Sequence, residues 1–334
     1  MELFLAFASL IAAVVPMFFY LLLIWWLDRN DREPFWLLLI NFFWGATGAI
    51  ILGIIGSLIF QIPLNEFIIA TNVDDPGRIA DLSGAVVTAP LVEEFTKGMF
   101  LVLMSYNKRF DGVVDGIVYG GAIGLGFGMT ENFMYFLSYG TTPTSWIMIV
   151  IIRTMFSAVM HCMSQATFGG FIGFAKFKPF FYKLFLIPAG FGLAVFLHFM
   201  WNLTVSFEET TLLGFVFLIL YLVILFSIFQ IAIHMESKTI RNELEEESVQ
   251  GVIPKEHMYY LPFVSRRFKA GWCPVGIDQK NYVNTATTLA LRKNQMKHLS
   301  GYKKSMYEKE VEELRYKIRM MIYNAHINYY NYRS

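Results

Sequence analysis

Seven stretches of this chain run for about twenty residues or more with very little charge, and that pattern leaves few folds open. A helix needs about 20 mostly apolar residues to cross the hydrocarbon core of a bilayer. The stretches are residues 3–27, 35–60, 85–106, 116–140, 146–175, 184–205 and 212–234. The fifth is longer than one crossing requires, so its start, 146–152, is expected to lie along the interface. The first is expected to be retained rather than cleaved. Glu2 stands where a leader would be basic, and the apolar run exceeds the roughly 7–15 residues of a leader core. The expected fold is all-α: a polytopic membrane bundle of about seven transmembrane helices, with a small C-terminal cytosolic region that is mostly helical.

The charge is segregated. Residues 235–334 carry 17 of the 27 Lys and Arg and 11 of the 26 Asp and Glu. The sequence therefore divides into a transmembrane body, 1–234, and a polar, mildly basic tail, 235–334. With 56% hydrophobic residues and a net charge of +1, the chain fits neither a disordered protein nor a nucleic-acid binder. Basic residues alternate from loop to loop: Arg29 and Arg32 in the first, Lys108 and Arg109 in the third, Lys176, Lys178 and Lys183 in the fifth. The second loop has only Arg78 beside Asp74, Asp75 and Asp81, and the fourth and sixth have none. The positive-inside rule then predicts a multi-pass protein of the cell membrane with its N-terminus outside and its C-terminus cytosolic. Cys162 falls in a span and Cys273 in the tail, so both are expected to be free thiols.

In the tail, the seventh span is expected to continue as a polar helix through 236–247. A segment punctuated by Gly251, Pro254, Pro262, Gly271, Pro274 and Gly276 follows. A second helical region is expected over 285–324, broken at Gly301, with Leu289, Leu291, Val311, Leu314 and Ile318 as its apolar positions. It reads as a helical cap or membrane-surface element, or as a partner-binding domain whose cytosolic partner the sequence does not name.

The residues that bear on function are polar groups inside the spans, where a charge costs about 2.5–3.5 kcal/mol on insertion scales. The third span holds Glu93, Glu94 and Lys97, with Lys97 three and four residues beyond the carboxylates and able to pair with either. Pro90 lies one turn earlier and, in an α-helix, leaves the carbonyl of Val86 without its donor. The fourth span carries Glu131 and Asn132 after Gly116, Gly120, Gly124 and Gly128, a four-residue spacing that lets two membrane helices approach closely. Glu131 extends that stripe and is expected in the seam it makes. The fifth span holds His161 and Gln165 on one face, after Arg153, which reads as an interface anchor. The sixth holds His198 and Asn202 on one face, with Trp201 packing beside them. Counted from the span ends at 1.5 Å per residue, these carboxylates and imidazoles lie roughly 10–14 Å below the outer surface.

Such a group suits hydrolysis. A carboxylate takes a proton from water, an imidazole positions that water or protonates the leaving amine, and Asn202 or Gln165 donates to an oxyanion. A metal version uses His161, His198 and Glu131 as ligands of one Zn2+, with Glu93 or Glu94 as base. No HExxH helix is present.

Glu93-Glu94-Phe95-Thr96-Lys97, Phe127-Gly128-Met129-Thr130-Glu131-Asn132, His161 and His198-Phe199-Met200-Trp201-Asn202 resemble the motifs of the PrsW family of intramembrane proteases. That family is similar to the wider CAAX-protease and bacteriocin-processing superfamily. The resemblance spans about 81–202. It implies a membrane-embedded peptidase with a glutamate-activated water, whose bacterial members are linked to cleaving membrane-anchored anti-sigma factors. It gives Glu93 or Glu94 the role of base, His198 that of assisting the water, and Asn202 that of holding the oxyanion. Two departures from the superfamily stand out. Lys97 replaces an Arg usually found one position further on, and Glu131 stands where a His is usual. They speak against prenylated CAAX substrates. The expected partners are a single-span membrane protein as substrate and the lipid bilayer. A proton-coupled carrier and a non-catalytic sensor are the alternative functions, the first weakened by the lack of an internal repeat.

Overall fold

The computed structural model describes residues 2–71 and 73–331, and no strand occurs among them. Seven long helices form the body: α1 (Glu2–Leu27), α2 (Phe35–Ala70), α3 (76–104), α4 (Val113–Tyr139), α5 (Pro143–Ala175), α6 (Phe180–Val205) and α7 (Glu208–Val249). Six of them are long and apolar enough to cross a membrane. The exception is α3, whose Glu93, Glu94 and Lys97 carry too much charge. The fold is an all-α polytopic helix bundle. Side chains such as Leu58, Ile59, Leu212 and Phe180 point outward, as a surface solvated by lipid requires.

Local chemistry sets the helix starts. Asp75 adopts a left-handed conformation (φ 52°) and its side chain accepts from the Arg78 amide, while Pro76 opens α3. Thr142 and Ser145 form a capping box at the start of α5, with Pro143 in the first turn.

The most enclosed helix is α4, and its glycine stripe is the reason. A Cβ on Gly116 would lie 2.0 Å from the Gly169 carbonyl oxygen, one on Gly120 2.2 Å from that of Gln165, and one on Gly124 2.2 Å from that of His161. The backbones of α4 and α5 are therefore in direct contact, as the spacing predicts. On its other side, α4 meets α2: a Cβ on Gly126 would lie 1.9 Å from the Phe42 carbonyl oxygen, and one on Gly45 2.0 Å from that of Ile123.

Three helices contain a π-helical segment: Trp44–Ala49 in α2, Gly84–Thr88 in α3 and Arg153–Ser157 in α5. Each turn of this kind widens the helix by one residue and is frequent at functional sites.

The chain divides into two compact units. The first comprises the helices up to Phe229 apart from residues Asp28–Arg32; the second comprises those five residues and the chain from Gln230. In the second unit, the distal part of α7 packs with α8 (Gln279–Met296) and α9 (Gly301–Asn331) around Leu244, Tyr282, Ala286, Leu289, Val311 and Ile318. The break between α8 and α9 spans 297–300, and Gly301 takes φ +60° to open α9. Lys293 reaches Glu247 at 2.9 Å and Arg315 reaches the same carboxylate at 2.6 Å, tying all three helices together. Burial alone would lower the pKa of Lys293, but its hydrogen bonds to Glu246 and Glu247 outweigh that and raise it. Cys162 and Cys273 are both free thiols.

Candidate functional site

Four helices bring their intramembrane polar residues to one place. Glu94, on α3, is fully buried and fully engaged. Its Oε1 accepts from Lys97 Nζ at 2.6 Å and faces His198 Nδ1 at 2.8 Å, while its Oε2 accepts from Gln165 Nε2 at 2.6 Å. Gln165 also donates to the Glu94 carbonyl at 3.1 Å. With Nδ1–H given to Glu94, the His198 ring turns Nε2 away as a lone-pair nitrogen.

Glu93 differs from its neighbour in every respect. Its side chain is 14% exposed, and its Oε2 has no hydrogen-bond partner. That oxygen lies 3.8 Å from Lys97 Nζ and 4.0 Å from His198 Nε2. Glu93 and Glu131 line a cavity of about 380 Å³ between α2, α3 and α4, together with Gly53, Ser57, Gln61, Thr88, Phe127 and Tyr135.

Glu131 sits in the seam beyond the glycine stripe, as expected. Its Oε2 faces His161 Nε2 at 2.6 Å and accepts from Arg153 at 2.6 Å. Arg153 also donates from Nε to Asn132 Oδ1 at 3.1 Å, and its guanidinium lies 3.6 Å from the Tyr135 ring centroid. Arg153 is therefore a member of the site and not the interface anchor that the sequence suggested. The π segment that begins at this residue shifts the register of α5 here. The second nitrogen of His161, Nδ1, lies 3.2 Å from Lys97 Nζ.

Side chains of the motifs also secure the π segments. Thr96 Oγ1 donates to the Ala49 carbonyl at 3.1 Å, and Thr130 Oγ1 to the Ala46 carbonyl at 2.7 Å, both in the π segment of α2. In α3 the Ala89 amide bonds Gly84, five residues back. The next position is Pro90, which has no N–H, so the Ala85 carbonyl lacks its partner in that register. Asn202 Nδ2 supplies one at 2.8 Å. The orphaned carbonyl is thus Ala85, where an α register would give Val86. Thr96 and Thr130, which the sequence offered only as motif positions, and Arg153, which it read as an anchor, all make contacts that hold the site together. Trp201 is buried and packs against Phe156 and Phe215 beside the site.

One group of donors could hold a cation. Atoms of Glu93, His161 and His198 all lie within 4.8 Å of one another, and no other such group of three occurs among the described residues. The set fits a divalent metal. Glu93 Oε2 is a buried oxygen without a partner, and His198 Nε2 offers its lone pair. Carboxylates support both rings from behind, Glu94 on His198 and Glu131 on His161, the arrangement that orients histidine ligands. The sequence named Glu131 as the third ligand. The structure puts Glu93 in that position, because Glu131 is held by Arg153 and His161.

Sequence comparison with known proteins points to a protease family. A chain described as Protease PrsW from Bacillus subtilis is 26% identical over 52% of this chain and 71% of its own length. A Protease PrsW from Oceanobacillus iheyensis is 27% identical over 60% of this chain and 84% of its own. One from Shouchella clausii is 32% identical over 32% of this chain and 47% of its own. No solved structure matches. The sequence model of the family matches residues 33–230, which contain all the site residues described above. Four helices carrying the motifs, a carboxylate–imidazole cluster fit for a metal, and a match over more than half the chain lead to one assignment: this chain is a multi-pass membrane peptidase and belongs to the PrsW family of intramembrane metalloproteases.

Proposed function

We propose that this enzyme is an endopeptidase that hydrolyses a peptide bond of a membrane-anchored, single-span protein, using a water activated by Glu93 near the outer face. One observation carries the choice of base: among the three site carboxylates, Glu93 alone has a buried oxygen without a hydrogen-bond partner, and the residue lines a cavity. Both oxygens of Glu94 are engaged by neighbours, and Oε2 of Glu131 is shared by Arg153 and His161. The resemblance supports an anti-sigma-factor-like regulator as the substrate class.

Glu93 Oε2 and His198 Nε2 are 4.0 Å apart, a separation at which one water can hydrogen-bond to both at ordinary distances of about 2.8 Å. The water's proton passes to Glu93 as its oxygen attacks the carbonyl carbon. His198 accepts the second water hydrogen and fixes the direction of attack. Glu94 holds the ring in the tautomer that allows this. The proton on Glu93 then moves to the leaving amine nitrogen. Asn202 has a second amide hydrogen beyond the one given to Ala85, and the resemblance assigns it to the developing oxyanion. Were Glu93, His161 and His198 to hold a metal instead, the metal would take the Glu93 and His198 atoms used here and would itself supply the Lewis acidity that activates a water.

The test is cleavage of a single-span protein by the purified enzyme in liposomes. Glu93→Gln is expected to lower the rate by about 10²–10⁴-fold with the fold intact. Cleavage that survives Glu93→Gln, Glu94→Gln and His198→Ala, each tested singly, would overturn the assignment. It would favour a carrier or a sensor.

A further inference from the structure

We infer that Lys97 is a built-in counter-cation that competes with a divalent metal for the donors of the site. The side chain is fully buried. Its ammonium lies 2.6 Å from Glu94 Oε1, 3.2 Å from His161 Nδ1 and 3.8 Å from Glu93 Oε2, and 4.1 Å from the centroid of the Phe127 ring. Glu93 and His161 are two of the three residues placed to hold a metal. The third, His198, shares Glu94 Oε1 with Lys97. The ammonium therefore faces every candidate ligand either directly or through one shared oxygen.

The charges reinforce the reading. Glu93, Glu94 and Glu131 face Lys97 and Arg153. Arg153 is committed to Glu131 and Asn132, which leaves Lys97 as the cation that balances the Glu93–Glu94 pair. A dication seated among Glu93, His161 and His198 would lie against that ammonium, with little water between to screen the repulsion. Metal entry then requires Lys97 to withdraw. Until it does, the ammonium keeps adjacent carboxylates and two imidazoles assembled without a metal. A point charge on a flexible stem suits this role, whereas a planar guanidinium would not retract as easily.

This inference rests on the metalloprotease reading, but its test needs no substrate, so the two fail separately. Zinc affinity is measured on the purified full-length protein in detergent, by calorimetry and by competition with a fluorescent chelator. Lys97→Met and Lys97→Gln are expected to bind zinc at least about tenfold more tightly than the parent. The gain should vanish when His198→Ala is added. Unchanged or weaker affinity in the lysine variants would overturn the inference, as would zinc binding to neither parent nor variants. Should the lysine variants fail to yield monodisperse protein, Phe127→Leu removes the ring beneath the ammonium, which also packs against His161, without changing any donor residue. It is expected to tighten zinc binding in the same direction, and no change there would refute the competition.

Discussion

The glycine seam between α4 and α5 makes a quantitative prediction about the site it supports. Gly124→Ala places a methyl 2.2 Å from the His161 carbonyl oxygen and 2.5 Å from its carbon. Those atoms are backbone, so no side chain can swing away. Cβ contacts below 3.0 Å are essentially unknown, so the two helices must part locally by about 0.8 Å. Moving the pair apart by that distance stretches the 2.6 Å contact between His161 and Glu131 to about 3.4 Å, beyond a good hydrogen bond. Overpacking of this kind costs roughly 1–3 kcal/mol, against which the better helix propensity of alanine returns at most about 1 kcal/mol. Misplacement by about 1 Å can cost about 10²-fold in rate. Thermal unfolding in detergent and cleavage in liposomes should therefore both suffer. Gly192→Ala is the internal control, since nothing lies within 4 Å of a Cβ there, and it should be neutral or slightly stabilising. A Gly124→Ala enzyme as stable and active as the parent would refute the close-packed seam as the support of the site.

Further outcomes follow from other contacts. Arg153→Met should leave Glu131 with an uncompensated charge inside the bundle, costing about 3–5 kcal/mol, as read by chemical unfolding. Gly53→Ala should leave the unfolding temperature unchanged, since a Cβ there meets only ordinary contacts at 3.7–3.8 Å, whereas the longer Gly53→Leu side chain should enter the cavity beside Glu93 and abolish cleavage. Pro90→Ala restores a donor near Ala85, so Asn202→Ala should cost about 0.5–1 kcal/mol less in that background than alone, measured as a double-mutant cycle. In the second unit, burial against Trp272 and Tyr282 lowers the pKa of His257 below its ordinary 6.5. The unfolded chain then binds more protons there than the folded one, so stability falls as pH drops through 6.5, by at most about 1.4 kcal/mol per pH unit. His257→Gln should flatten that slope in urea titrations at pH 7.5 to 5.5.

Much of the fold was legible because lipid imposes one simple rule: apolar runs of sufficient length become helices. Gly116, Gly120, Gly124 and Gly128 disclosed the seam because their spacing matches a helix face. Glu93, Glu94, Glu131, His161 and His198 stood out because ionisable groups are rare in such runs. Three things were not legible. Adjacent carboxylates look alike in sequence, and only the packing of Lys97, Gln165 and His198 around Glu94 leaves Glu93 as the free one. Arg153 looked like an anchor because depth counted along an ideal helix takes no account of its neighbours. The carbonyl orphaned by Pro90 was assigned to Val86 because a π turn has no residue signature and shifts the bonding by one position.

The three π segments also have a consequence for how the helices tolerate length changes. Each inserts a residue without a loop, so the parts of the helix on either side keep separate rotational phases, about 100° out of step with a continuous α-helix. Deleting one residue within 84–88 would let α3 close into uniform α-turns and rotate Gln61's partners Ala80 and Ser83 away from the face that carries Glu93. The same deletion in an ordinary stretch, such as 98–104, would rotate only the end of α3 remote from those partners. Single-residue indels in this protein are therefore expected to divide sharply by position, with the three π segments acting as fixed joints that define which way each catalytic half-helix faces.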